Sequence, residues 1–292
     1  MKKFALLLAS LALIGNVPPA PQPTPAKPAL WVLKDEDTTL YLFGTIHMLP
    51  KDYTWRTPVI DKALAESSDL VLEVNDSETP EKTGETFIKF AISPGLPPVL
   101  DRLPEASRAN ASKMFEQSGI PAGGLDGLES WAVALTLSVV AIKKLGITGE
   151  NGVETLLTAQ FKAANKPISG LETTEQQLGF FDTLPEEAQR TFLLSAIDET
   201  ADLKKEFDAM IASWAAGDEA KIALTFDDEL QLSPELLDRL LRQRNANWAV
   251  WIKDRMAKPG TTFIAVGAGH LAGKDSVQAM LAAKGLVVTR VQ

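Results

Sequence analysis

Only two histidines, His47 and His270, occur in this chain of 292 residues. Each follows a glycine by three positions, Gly44 in "LYLFGTIHML" and Gly267 in "FIAVGAGHLAG", at the end of an apolar, strand-like run. A neutral imidazole is a general base, a proton shuttle and the commonest nitrogen ligand for borderline divalent metals. A single histidine at a strand end is most simply a structural side chain. Two in matching settings point to a site, because open α/β sheets bind ligands beyond the carboxyl ends of their strands. The preceding glycines fit a tight backbone bend or the close approach of a ligand.

Three charged residues stand out beside them. Glu73 in "LVLEV" places a carboxylate inside an apolar run. Buried and unpaired it would cost several kcal/mol, so it needs a metal, an arginine or the rim of the sheet. Glu172 in "SGLET" holds a comparable strand-to-helix corner, although acidic residues near helix starts are also favoured by the dipole alone. Arg244 follows Leu237 by seven positions, within a helical stripe of Leu237, Leu241, Trp248 and Trp251. A guanidinium there needs a carboxylate or an anionic substrate group, unless its stem packs while its head reaches water. Asn245, on the adjoining face, offers a hydrogen bond. Cysteine is absent, which excludes disulfides, thiolate nucleophiles and cysteine-ligated metals, so any metal must use His and carboxylates. No G-x-S-x-G elbow, Walker A loop, helix-opening G-x-G-x-x-G or H-E-x-x-H occurs.

The elements that position these residues follow from periodicity. "ALWVLKDEDTTLYLFGTIH" reads as two strands around the turn Asp35-Glu36-Asp37, an antiparallel hairpin. "VIDKALAESS" places Val59, Ile60, Ala63 and Leu64 on one helical face, and Asp69–Val74 is a continuous apolar strand suited to burial on both faces. "TTFIAVGAGH", a short helix with Val277, Met280 and Leu281, and the strand "LVVTRV" repeat the plan. The expected fold is α/β, a mixed central sheet with two βαβ units carrying G-x-x-H at strand ends. A large helical insertion spans about 101–257, with a short strand at "ISGLE" and a helix opening on Ser233 and Pro234.

The start of the chain reads as an export signal. Lys2 and Lys3 precede an apolar run from Phe4 to Ile14, too short to span a bilayer comfortably, and no cysteine follows for lipidation. "PPAPQPTPAKP" is an extended tether. Residues 1–28 are assigned to signal and tether, with cleavage between about Gly15 and Lys27, and residues 29–292 to the domain. That places the mature protein in the periplasm or outside the cell, with no integral membrane span after cleavage. A net charge of −9 argues against nucleic acid as a partner.

The ordered set "LFGTIHML", "SDLVLEV", "PISGLETTEQQL", "LLRQRNANW" and "FIAVGAGHL" resembles the TraB/PrgY/GumN family, related to the Tiki-type metalloproteases. The resemblance covers about residues 30–292. It implies an α/β fold with a helical insertion and a metal-dependent hydrolytic site built from both histidines, the strand glutamate and the arginine. One departure is "NGVETLL", where Glu154 replaces an expected aspartate; Glu154 is therefore left out of the site. On this basis His47, His270 and Glu73 are the expected ligands of a divalent ion (Mn, Co, Zn or Fe). Arg244 is expected to stabilise negative charge or hold a substrate carboxylate, and Glu172 to be a further ligand or the general base. The expected function is hydrolysis of a peptide or other small polymer. The alternatives are a non-catalytic envelope protein binding a peptide or glycan in the same cleft, and a purely structural Arg–Glu–His network.

Overall fold

The computed structural model describes residues 26–75, 80–147, 149–198, 203–230 and 234–292. Its sheet has six strands: β1 (Leu30–Lys34), β2 (Thr38–Thr45), β3 (Asp69–Val74), β4 (Ile168–Glu172), β5 (Gly260–Gly267) and β6 (Thr289–Arg290). Their spatial order is β4-β3-β5-β2-β1-β6. The strand ending in the second glycine motif therefore lies between the strand ending in the first and the strand bearing Glu73. Both neighbours run parallel to it, with Thr45 beside Gly267 and Leu72 beside Ala265. β4 runs parallel to β3, with Glu172 beside Val74. All four strands thus release their chemistry-bearing residues at one edge.

The hairpin β1–β2 is antiparallel. Asp35 shapes its turn, its side chain accepting from the backbone N–H of Asp37 (3.2 Å) and Thr38 (2.9 Å), an aspartate turn of the usual kind. Strand alternation divides the core. Phe43, Leu70, Leu72, Phe263 and Ala265 face one layer, with Trp55 and Trp214. Leu42, Val71, Ile264 and Val266 face the other, with Trp248 and Ile252. Helices from Pro80–Ala91 to Gln243–Arg255 fill the chain between β3 and β5, interrupted by β4. Part of this region has a core of its own around Phe115, Val133, Leu137, Leu193 and Ile197.

Three local expectations change. Val59 is 42% exposed while Ile60, Ala63 and Leu64 of its helix are buried, so the helix buries a narrower stripe. "LVVTRV" contributes only Thr289 and Arg290 as strand, paired antiparallel to β1 at the sheet margin. Leu286 and Val288 instead pack on the core as irregular chain. The third concerns the arginine-bearing helix. It runs through Pro234–Leu237, a π-turn at Asp238–Arg242 and Gln243–Arg255, the wider turn falling just before Arg244. Its expected cap, Ser233, lies outside the described residues.

Candidate functional site

His47 sits in the bend after β2, braced by the helix Val153–Ala163. The Val153 N–H donates to the Ile46 carbonyl at 3.1 Å. A Cβ on Gly152 would lie 2.1 Å from the His47 carbonyl oxygen, so only glycine permits this approach. The next turn supplies Glu154, whose Oε1 lies 2.6 Å from His47 Nδ1 and accepts from the Thr45 hydroxyl. The Glu154 carboxylate raises the His47 pKa to about 9, against the opposing pull of burial. Burial pushes Glu154 itself up, and the histidine and Thr45 outweigh that and lower it. The His47 side chain is nevertheless 66% exposed, so solvent screens this pairing. Glu154, left out of the expected site, thus reaches the imidazole in spite of its longer side chain.

Glu73, near the end of β3, is buried. Its Oε1 accepts from the Gly267 N–H at 2.6 Å. Its Oε2 accepts from Arg244 Nη2 at 2.6 Å and Gln177 Nε2 at 3.3 Å. Burial alone would raise its pKa; the neighbouring His270, Arg244 and His47, with the Gly267 N–H, outweigh burial and hold it at about 2. The buried His270 is itself neutral above about 3, so near neutral pH the holding charges are those of Arg244 and His47.

His270 lies in the single turn Ala268–Leu271 that follows β5. Its Nδ1 is 2.6 Å from Asn245 Oδ1. The Asn245 amide nitrogen donates to the Asp275 carbonyl at 2.8 Å, which turns the amide oxygen toward the ring and assigns the imidazole proton to Nδ1. Nε2 then accepts from Arg244 Nη1 at 3.0 Å. Trp248 packs beside the ring, centroids 4.4 Å apart.

Arg244 links the cluster. Nε donates to Glu172 at 3.0–3.1 Å, and Nη2 to Glu172 at 2.9 Å and to Glu73. Nη1 donates to His270 and to the Leu240 carbonyl at 3.3 Å. All five N–H bonds of the guanidinium therefore have protein acceptors. Glu172 also accepts from Trp248 Nε1 at 3.0 Å. Burial raises the pKa of Glu172 despite Arg244. The expected substrate-clamp role of Arg244 and ligand or base role of Glu172 meet a physical obstacle here: their polar atoms are engaged with one another. Glu172 is also absent from the residues lining the adjoining cavity.

That cavity holds about 400 Å³ and is lined by His47, Glu73, Arg244, Gly267 and His270 on the polar side. Leu135, Leu178, Phe181, Leu240 and Leu241 supply its apolar lining, and Gln177 also lines it. A Cβ on Gly267 would meet Glu73 Oε1 at 3.0 Å, His47 Nε2 at 3.5 Å and His270 Cδ2 at 3.7 Å, so both imidazoles and the carboxylate crowd one point. A side chain at this position would press on the Glu73 carboxylate by a few tenths of an ångström. Gly44 serves backbone packing instead: a Cβ there would lie 3.1 Å from Ala268 Cα, and its carbonyl accepts from Trp214 Nε1 at 2.8 Å. A larger cavity, about 1110 Å³, is lined by residues 51–54 and 56–59 with Lys27, Arg290 and Gln292. Its arginines are paired, Arg56 with Asp61 and Arg290 with Glu219.

The donor types suit the expected metal, and each imidazole is backed through Nδ1 by an oxygen, as ligating histidines are. Their placement does not suit it. His270 Nε2 and Glu73 Oε2 are both occupied by the guanidinium, and among the described residues no three His, Asp or Glu groups are arranged to hold an ion.

Fold and site together define an α/β protein with a charged His–Glu–Arg cluster at the carboxyl edge of its parallel strands. The chain belongs to the TraB/PrgY/gumN family, whose family model matches residues 29–290. It is 26% identical over 260 residues to the uncharacterized Escherichia coli (strain K12) protein YbaP, covering 87% of this chain and 92% of that one. It is 25% identical over 276 residues to an uncharacterized Treponema pallidum (strain Nichols) protein, covering 85% and 78% respectively. No solved structure matches. No helix among the described residues is long and apolar enough to cross a membrane. The expected signal segment falls outside the described residues.

Proposed function

We propose that this chain is an exported hydrolase that cleaves an acyl bond, in a peptide first of all, within the cavity between the polar cluster and the helical wall. The observation that carries the reading is the His47–Glu154 pair. His47 is the one imidazole of the two whose Nε2 is turned to the cavity region without a protein partner among the described hydrogen bonds. With a pKa of about 9 the neutral ring is the minor form near pH 7; that form takes a proton from water attacking a carbonyl, and the imidazolium returns the proton to the leaving group, so the rate is expected to rise with pH up to about 9. Glu154 fixes the ring and favours the charged form, the role of the acidic partner in hydrolytic triads. Arg244 and Gln177 line the same cavity; both donate to Glu73, so their part in this reading is to hold the polar wall in place rather than to bind substrate directly.

The apolar wall of Leu135, Leu178, Phe181 and Leu240 favours a substrate with an apolar group next to the scissile bond. Export rests on the Lys2-Lys3 segment and the apolar run that follows it. Incubation of the purified protein with a peptide library, with products read by mass spectrometry, tests the reading. Cleavage that His47→Ala slows by about 10²–10⁴-fold is expected. Binding without cleavage would instead assign the cavity to a non-catalytic peptide or glycan binder.

A further inference from the structure

We infer that Arg244 is the resident cation of this site, its guanidinium standing where a divalent ion between Glu73 and His270 would stand. The inference deepens the hydrolase reading by naming its fixed positive charge, and it is tested without any substrate.

Three observations carry it. First, His270 Nε2 and Glu73 Oε1 are 3.7 Å apart, a separation that suits two ligands of one ion bound at about 2.1 Å. Yet the ring's one lone pair already accepts from Nη1 at 3.0 Å, and the other oxygen of the same carboxylate, Glu73 Oε2, accepts from Nη2 at 2.6 Å while Oε1 accepts from the Gly267 N–H. The bridge that a metal would make is made by the arginine.

Second, the guanidinium is not free to withdraw. Glu172 takes Nε and Nη2, the Leu240 carbonyl shares Nη1, and Trp248 lies 4.7 Å from the guanidinium carbon. Third, an entering ion could not replace it. Glu172 is buried behind the guanidinium and away from the cavity. An ion reaching Glu73 and His270 from the cavity would leave Glu172 buried without its counter-charge, a costly state. The same saturation makes Arg244 a positioning residue for Glu73 and His270.

Cobalt(II) is the probe, followed by calorimetry and by its visible absorption in metal-stripped protein. The wild type is expected to show no stoichiometric uptake. The double variant Arg244→Met with Glu172→Gln removes the cation together with the carboxylate it would strand. This variant is expected to bind one cobalt ion at least about tenfold tighter than the wild type, with a rise in Tm on cobalt addition. Adding His270→Ala should abolish both effects. Stoichiometric cobalt uptake by the wild type that His270→Ala removes would overturn the inference. So would a double variant, folded by circular dichroism, that binds no better than the wild type. If the double variant does not fold, wild type against His270→Ala decides by the same criterion. Peptide cleavage is measured separately, so the hydrolase reading stands or falls on its own result.

Discussion

Arg244→Met removes the guanidinium and keeps most of the stem. Its two carboxylate partners, Glu73 and Glu172, have side chains only 9% and 6% exposed. Removing one partner of a buried pair costs about 3–5 kcal/mol, because the remaining charge is left uncompensated. At roughly 2–4 °C per kcal/mol in a domain of this size, Tm should fall by about 6–20 °C near neutral pH. The pH dependence discriminates this cause from simple loss of packing. In the wild type the Glu73 pKa is lowered from 4.5 to about 2, so its stabilisation is present above 4.5 and is lost as pH falls through about 2. Without Arg244, burial dominates both carboxyls and raises them. Such groups favour the folded state at acid pH and lose that contribution as pH rises through the raised value. The deficit of the variant should therefore be largest near pH 7 and shrink toward pH 4. Urea denaturation or calorimetry at both values measures it, and Glu172→Gln should restore part of the loss. A deficit independent of pH, or a Tm unchanged at pH 7, would refute the buried-charge argument.

Glu154→Gln should bring the His47 pKa down from about 9, read by NMR titration of the imidazole. Since that pKa is raised in the folded state, the pairing stabilises fully below 6.5 and is lost as pH rises through about 9, and the variant should flatten that slope. Gly152→Ala sets a Cβ 2.1 Å from the His47 carbonyl oxygen. It should destabilise by about 1–3 kcal/mol and shift the His47 resonances. Lys166 Nζ donates to the Ser67 carbonyl at 2.5 Å and the Ala65 carbonyl at 3.3 Å at the end of the helix Pro58–Glu66. Lys166→Met should cost about 1 kcal/mol in chemical denaturation without changing the His47 titration.

The convergence of His47, Glu73, His270 and Arg244 was legible because two strong patterns coincide. Apolar runs ending in G-x-x-H mark strand ends, and charges inside apolar stretches need partners. The pairing of Glu172 with Arg244 was less legible. Glu172 reads equally well as a helix-start acid, and only the register of β4 beside β3 brings it under the guanidinium. Glu154 was illegible by family pattern, since its reach to His47 depends on the helix Val153–Ala163 docking against the Ile46–His47 backbone. Gly152 was the available signal, a glycine immediately before a helix carrying an acid in its first turn. The metal expectation rests on the ligand types alone. What types alone do not reveal is that a guanidinium on a distant helix, just after a π-turn, arrives at the same imidazole and the same carboxylate.

The most direct test of the central claim is hydrolysis in oxygen-18 water, comparing wild type with His47→Ala on peptides bearing apolar residues. The wild type should release products carrying one heavy oxygen at the new carboxyl group, and the variant should be slower by about 10²–10⁴-fold with its fold intact. Wild-type protein that releases no labelled product, or a His47→Ala variant that releases it at the same rate, would contradict the account.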